Sequence, residues 1–139
     1  MKFNRLGNSD LQVSDVCLGT MTWGIQNTQQ DADEQIAFAL DKGVNFVDTA
    51  EMYPVPPNVD TYGDTERIIG NWISRNESKR SDIVLMTKIA GSGLNYIRNA
   101  GPITADAIAN ALTYSLERLK TDYIDVYQLH WPNRVTPHF

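Results

Sequence analysis

Several signals that would place a protein quickly are missing or scarce here. The 139 residues hold one cysteine, Cys17, so no internal disulfide framework can form. Its setting, VCLG, is apolar and strand-like, which predicts an inert core thiol rather than a nucleophile. Long apolar runs are absent, and Ile83-Val84-Leu85-Met86 is far too short to cross a bilayer. The opening MKFNRLGNSD lacks the apolar stretch of a secretory leader, so a cytoplasmic protein without membrane insertion is expected. Positive charge is in deficit, with 12 basic residues against 17 acidic ones and a net charge of −5. That balance disfavours nucleic acid and anionic lipid as partners. No GxGxxG fingerprint occurs, so a nicotinamide cofactor, if bound, enters by another route than the Rossmann turn. Nor does the sequence call for a metal.

What is present fits a folded domain, with 42% hydrophobic and 21% charged residues. No low-complexity tract or linker divides the chain. FNRLGNSDLQVSDV has turn chemistry at Gly7-Asn8-Ser9-Asp10 between short apolar segments and predicts a hairpin. A strand follows over 16–19. In DADEQIAFALDKG, Asp31 and Glu34 have the spacing of a helix N-terminal box. Ala32, Ile36, Ala39 and Leu40 form the apolar face, and Gly43 is the stop. VNFVD is the second strand, and after a proline-rich loop TERIIGNWISRN carries a helical stripe of Ile68, Ile69, Trp72 and Ile73. DIVLMTK reads as a strand of a doubly covered parallel sheet, ITADAIANALTYSLERLK as the strongest helix, and YIDVYQLH as the fourth strand.

The order is therefore a hairpin and then β-α-β-α-β-α-β, which predicts parallel strands joined by right-handed crossovers. Periodicity leaves two architectures open: a small open sheet, or the first half of an eight-stranded barrel. Three strands end in reactive side chains, at Asp48, Lys88 and His130. In a parallel sheet these ends share one rim, where active sites are built. Alternation then puts Val44, Phe46, Val84, Met86, Val126 and Gln128 on the same face, Gln128 needing a polar partner.

Each residue also has a plain role. An aspartate at a strand end caps turns, a terminal lysine is commonly solvated, and Tyr53 could pack over its loop. An acid, an amine, an imidazole and a phenol converging on one rim suit carbonyl reduction better. A phenol, with a pKa of about 10, donates poorly at neutral pH. A lysine ammonium beside it lowers that value, and a carboxylate seats the lysine. An imidazole can orient the carbonyl oxygen as charge develops. Hydride has to come from a nicotinamide, because no side chain supplies it.

The motifs LGTMTWG, NFVDTAEMY, LMTK and YQLHWP, in that order, resemble the N-terminal half of the aldo-keto reductases over about residues 3–133. The MYPVPP insert is similar to that of the bacterial Tas-like branch. The resemblance implies the first half of a (β/α)8 TIM barrel, with a hairpin plug and four parallel strands alternating with helices. It implies an NADPH-dependent reduction of aldehydes or ketones. Tyr53 would be the general acid, tuned by Lys88 and Asp48, with His130 orienting the carbonyl. Gly19, Thr20 and Met21 would lie along the nicotinamide half of NADPH, with Asp48 near its ribose. Trp23 and Trp131 would line the substrate pocket, although without the resemblance ordinary packing is the favoured reading of both tryptophans.

Two departures stand out. The family's tyrosine is commonly followed by glycine, whereas Pro54 follows Tyr53, and a Tyr62-Gly63 pair stands later in the loop. The spacing from Asp48 favours Tyr53. A complete barrel also takes about 250 residues, so residues 1–139 are expected to form a single partial domain lacking the C-terminal half. Such a half would leave sheet edges unpaired, inviting self-association, and would have little activity alone. Two rival readings are a Schiff-base aldolase using Lys88, which a nearby Asp48 opposes, and a non-catalytic, reductase-like regulatory or binding subunit.

Overall fold

The computed structural model describes residues 1–133. It begins with strands β1 (Phe3–Arg5) and β2 (Gln12–Ser14), paired antiparallel with Phe3 opposite Ser14. Gly7 supplies the left-handed residue of the turn, with φ 57°. Asn45 fastens this hairpin to the strand that follows it in the sheet. Its Oδ1 accepts from the Ser14 backbone N–H at 2.8 Å, and its Nδ2 donates to the Gln12 carbonyl at 2.9 Å.

Four strands form a wholly parallel sheet: β3 (Cys17–Gly19), β4 (Phe46–Asp48), β5 (Val84–Ile89) and β6 (Val126–Leu129), in that spatial order. Helices α1 (Gln29–Asp41), α2 (Asp64–Arg75) and α3 (Ala105–Leu119) alternate with them, as the sequence predicts. The box at the start of α1 lies one turn earlier than Asp31 and Glu34 suggest. Thr28 caps the helix by accepting from the Asp31 N–H, and the Asp31 carboxylate accepts from the Thr28 N–H at 2.8 Å. A threonine hydroxyl can receive that first-turn donor, so T-x-x-D is the working pair.

The register divides the sheet into two faces. Val47, Leu85, Thr87 and Ile89 turn toward the helices and are almost wholly buried. Trp23, Ala32, Ile36, Ile69, Trp72, Ile73, Ile83 and Leu119 join Val47 and Leu85 in the main core. At the crossing of α2 and α3, a Cβ on Gly70 would lie 2.0 Å from the Arg118 carbonyl oxygen, so only glycine allows this approach. Buried among the helices, Glu66 accepts from Thr87 Oγ1 at 2.6 Å and from Arg118 Nε at 2.6 Å. A carboxylate with no exposed surface requires such partners.

The opposite face carries Cys17, Gly19, Phe46, Asp48, Met86, Val126 and Gln128, placed side by side by the strand register. These residues are partly or fully exposed. Two expectations change as a result. Cys17 is exposed rather than a core thiol, because no layer covers this face among the described residues. Gln128, also exposed, needs no buried partner.

Candidate active site at the strand ends

β4 ends at Asp48, but the backbone stays on β5 for three more residues. Thr49 N–H donates to the Met86 carbonyl at 2.9 Å and Glu51 N–H to the Lys88 carbonyl at 3.1 Å. The chain then turns back on itself, with Tyr53 N–H donating to Ala50 O at 3.1 Å. The Tyr53 carbonyl accepts from Gly63 N–H at 2.9 Å, where the loop enters α2. Tyr53 is thus folded down onto the rim and only 8% exposed.

Lys88 reaches the same point from β5. Its Nζ donates to Asp48 Oδ1 at 2.5 Å and to the Thr49 carbonyl at 2.7 Å, and lies 5.0 Å from the Tyr53 ring centroid. His130 follows directly after β6, and its backbone N–H extends the ladder to Ile89 O at 2.9 Å. Its ring meets Tyr53 edge to face, with centroids 5.6 Å apart and planes at 80°. Asp48, Tyr53, Lys88 and His130 therefore converge, although three separate strands carry them. Tyr62 lies elsewhere, against Tyr96 at 5.8 Å and under the Arg118 guanidinium at 6.0 Å.

The electrostatics differ from the sequence expectation in one respect. Burial, and next the Asp48 carboxylate, push the Tyr53 phenol above its ordinary value. Lys88 does not reverse this, because its charge is already matched by Asp48 at contact distance. The result is a firmly protonated phenol. Burial also pulls the His130 imidazole down to about 4, helped by the Lys88 charge and opposed by Asp48. At neutral pH that ring is uncharged, and its buried Nδ1 has no partner among the described residues. As for a Schiff base, Nζ is held against the Asp48 carboxylate and the Thr49 carbonyl, an ion-pair seat for the lysine rather than the apolar pocket that frees a nucleophilic amine.

The loop after β3 borders the same rim. Gly19 pairs with Asp48 in the register, is exposed, and has open space where a Cβ would sit. Thr20 is fully buried and donates its hydroxyl to the Asp48 carbonyl at 2.8 Å. Met21 is half exposed, and its carbonyl accepts from Val55 N–H at 2.8 Å, tying this loop to the one bearing Tyr53. A flat, open backbone beside a carboxylate that has no other hydrogen-bond donor among the described residues suits a ribose and its attached ring.

The two tryptophans part company. Trp131 packs beside His130, with centroids 5.1 Å apart, and donates its indole N–H to Ser92 O at 3.0 Å. It lies so close over Gly91 that a Cβ there would collide with the ring. Trp23 is not brought to the rim. It is 1% exposed in the core, its indole N–H donating to Gln35 of α1 at 3.0 Å.

One rim residue escaped the sequence reading. Glu51, 2% exposed, binds the Ala90 N–H and the Arg98 guanidinium behind Tyr53. It stands in the NFVDTAEMY motif, and a carboxylate between the strand end and the tyrosine was the available signal.

Comparison with known proteins supplies the context. The family model described as the aldo/keto reductase family matches residues 15–139. Protein tas of Escherichia coli is 44% identical over 142 residues, an alignment spanning 100% of this chain and 41% of that protein. The uncharacterized oxidoreductase YrpG of Bacillus subtilis is 38% identical, over 99% of this chain and 42% of its own. Among solved structures, aldo-keto reductase AKR11C1 from Bacillus halodurans superposes with a TM-score of 0.74 at 33% identity, covering 93% of this chain and 40% of that one. The chain thus spans about two fifths of the length of these relatives.

Proposed function

Because the chain belongs to the aldo/keto reductase family and carries the N-terminal part of its barrel, we propose that these residues form the proton-donating side of a site that reduces an aldehyde or ketone to an alcohol with NADPH. The observation that carries this reading is the single cluster of Tyr53, Lys88, Asp48 and His130 at the strand ends.

Tyr53 Oη gives its proton to the carbonyl oxygen as negative charge develops there, and the high phenol pKa keeps that proton in place until then. The uncharged His130 ring offers an N–H to the same oxygen and sets its direction. Lys88, seated by Asp48 and Thr49, places positive charge beside the phenolate that Tyr53 becomes. A bound nicotinamide supplies the hydride that the side chains cannot. Gly19, Thr20 and Met21 would hold its ring, with Asp48 at the ribose. Trp131 would border the carbonyl compound, the small-molecule partner of this site.

Residues 1–139 are, on this reading, one partial domain. In isolation their open face and the outer edges of β3 and β6 favour self-association over turnover. Among the described residues no helix is long and apolar enough to cross a membrane, and we assign the protein to the cytoplasm.

The test is NADPH oxidation by the full-length protein against a panel of aldehydes and ketones. Carbonyl-dependent oxidation that Tyr53→Phe abolishes supports the reading. Tight NADPH binding without turnover of any carbonyl would favour a regulatory subunit instead.

A further inference from the structure

The interactions of Glu51 exceed what a turn residue requires. Its backbone N–H donates to the Lys88 carbonyl, and its side chain Oε1 accepts from the Ala90 N–H at 2.5 Å. Backbone and side chain thus grip β5 on both sides of Ile89, immediately beyond Lys88. Tyr53 follows two residues later.

Arg98 completes the arrangement. Its Nη1 donates to Glu51 Oε2 at 2.8 Å, its Nη2 lies 2.7 Å from Oε1, and Nη2 also donates to the Ala90 carbonyl at 2.6 Å. A two-pronged guanidinium on a buried carboxylate fixes direction as well as distance. The backbone that delivers Arg98 is itself unfavourable. Arg98, Asn99 and Ala100 all have positive φ, at 48°, 53° and 54°, a left-handed turn that residues with a Cβ rarely adopt. Such a turn persists only where its surroundings hold it. Ser92, in the same β5–α3 loop, accepts from the Trp131 indole beside His130. The Glu51–Arg98 pair therefore joins the loop that carries Tyr53 to the end of β5 and to the β5–α3 loop, and the Trp131–Ser92 bond ties the segment after β6 to that same loop.

We propose that Glu51, locked by Arg98, is a positioning residue that holds Tyr53 at its working distance from Lys88 and His130. The idea deepens the reductase reading and rests on Tyr53 as proton donor. Glu51 touches neither substrate nor cofactor in this role. It acts by keeping the phenol folded onto the rim.

The experiment compares wild type, Glu51→Gln, Glu51→Ala and Arg98→Met in the full-length protein, by kinetics and by NMR with labelled tyrosine and histidine. Glu51→Ala lowers kcat by roughly 10–100-fold, the scale for a misplaced reacting group, with KM for NADPH almost unchanged. Glu51→Gln keeps an oxygen for the Ala90 N–H and recovers most of that loss. In Glu51→Ala the nuclear Overhauser contact between the Tyr53 and His130 rings weakens or disappears. If kcat per folded molecule and that contact both match wild type, the proposal is overturned. Should Glu51→Ala not fold, Arg98→Met decides in the same way, a wild-type contact and rate overturning the proposal. If the wild type turns over no carbonyl, the reductase reading fails. The ring contact still reports whether Glu51 positions Tyr53.

Discussion

Tyr53 and His130 meet edge to face, with ring centroids 5.6 Å apart, although one stands in the loop after β4 and the other at the end of β6. Lys88 lies on the intervening strand, and its ammonium is 5.0 Å from the Tyr53 ring. Neighbouring parallel strands bring these groups together, and the backbone of Thr49 and Glu51 carries the tyrosine back to them.

The position of Tyr53 makes the two tyrosine candidates separable by experiment. In the full-length protein, Tyr53→Phe should lower kcat by on the order of 10²–10⁴-fold, the usual worth of a positioned general acid. Tyr62→Phe should stay within a few-fold of wild type, since Tyr62 packs on Tyr96 and Arg118, whereas Tyr53 is the tyrosine in contact with Lys88 and His130. Steady-state rates with one good carbonyl substrate decide it. Equal rates for wild type and Tyr53→Phe would remove Tyr53 as the acid.

His130 should leave a mark on stability. Its folded pKa of about 4 lies below the ordinary imidazole value of 6.5, so the unfolded chain binds more protons between the two. The stability associated with the neutral ring is present above 6.5 and is lost as pH falls toward 4. The loss amounts to about 3 kcal/mol at most. Urea unfolding from pH 7 to pH 4 should show this slope in wild type and a shallower one in His130→Gln.

Cys17 should be slow to react in spite of its exposure. Burial of part of the residue, followed by the Asp48 carboxylate, pushes its thiol up to about 11. The nucleophile is the thiolate, so alkylation by iodoacetamide at pH 8 should be far slower than for a free cysteine peptide. Comparable rates would mean that neither burial nor Asp48 raises the thiol.

The helix layer supplies a structural prediction. Gly70→Ala would place a Cβ against the Arg118 carbonyl and should cost at least 1–3 kcal/mol, the usual range for overpacking. Glu66→Ala strips the Arg118 guanidinium and the Thr87 hydroxyl of their partner and should cost about 3–5 kcal/mol. Chemical denaturation midpoints test both, and neither change alters the four rim side chains directly.

Residues 1–139 expressed alone should sediment as dimers or larger species. Phe46 and Met86 lie partly uncovered on the open face, and among the described residues β3 and β6 each pair on one side only. A folded monomer at high concentration would contradict the expectation.

The sequence by itself determined the order of elements, because helix periodicity and continuous apolar strands are local signals. It also determined which residues stand at the strand ends. The period of two along a strand then put Asp48, Lys88 and the apolar residues below them on one face, and the register agrees. Tertiary structure decided the rest. Trp23 went to the core because α1 offers Gln35 to its indole, a contact no local pattern announces. Tyr53 rather than Tyr62 reached the rim because Glu51 holds the loop to β5 before it turns. The phenol pKa rose because the fold buries the ring and, next, sets it near the Asp48 carboxylate, a carboxylate that also pairs with Lys88 from the adjacent strand. Spacing along a chain can place a side chain at an edge, but what lies across from it depends on segments far away in sequence.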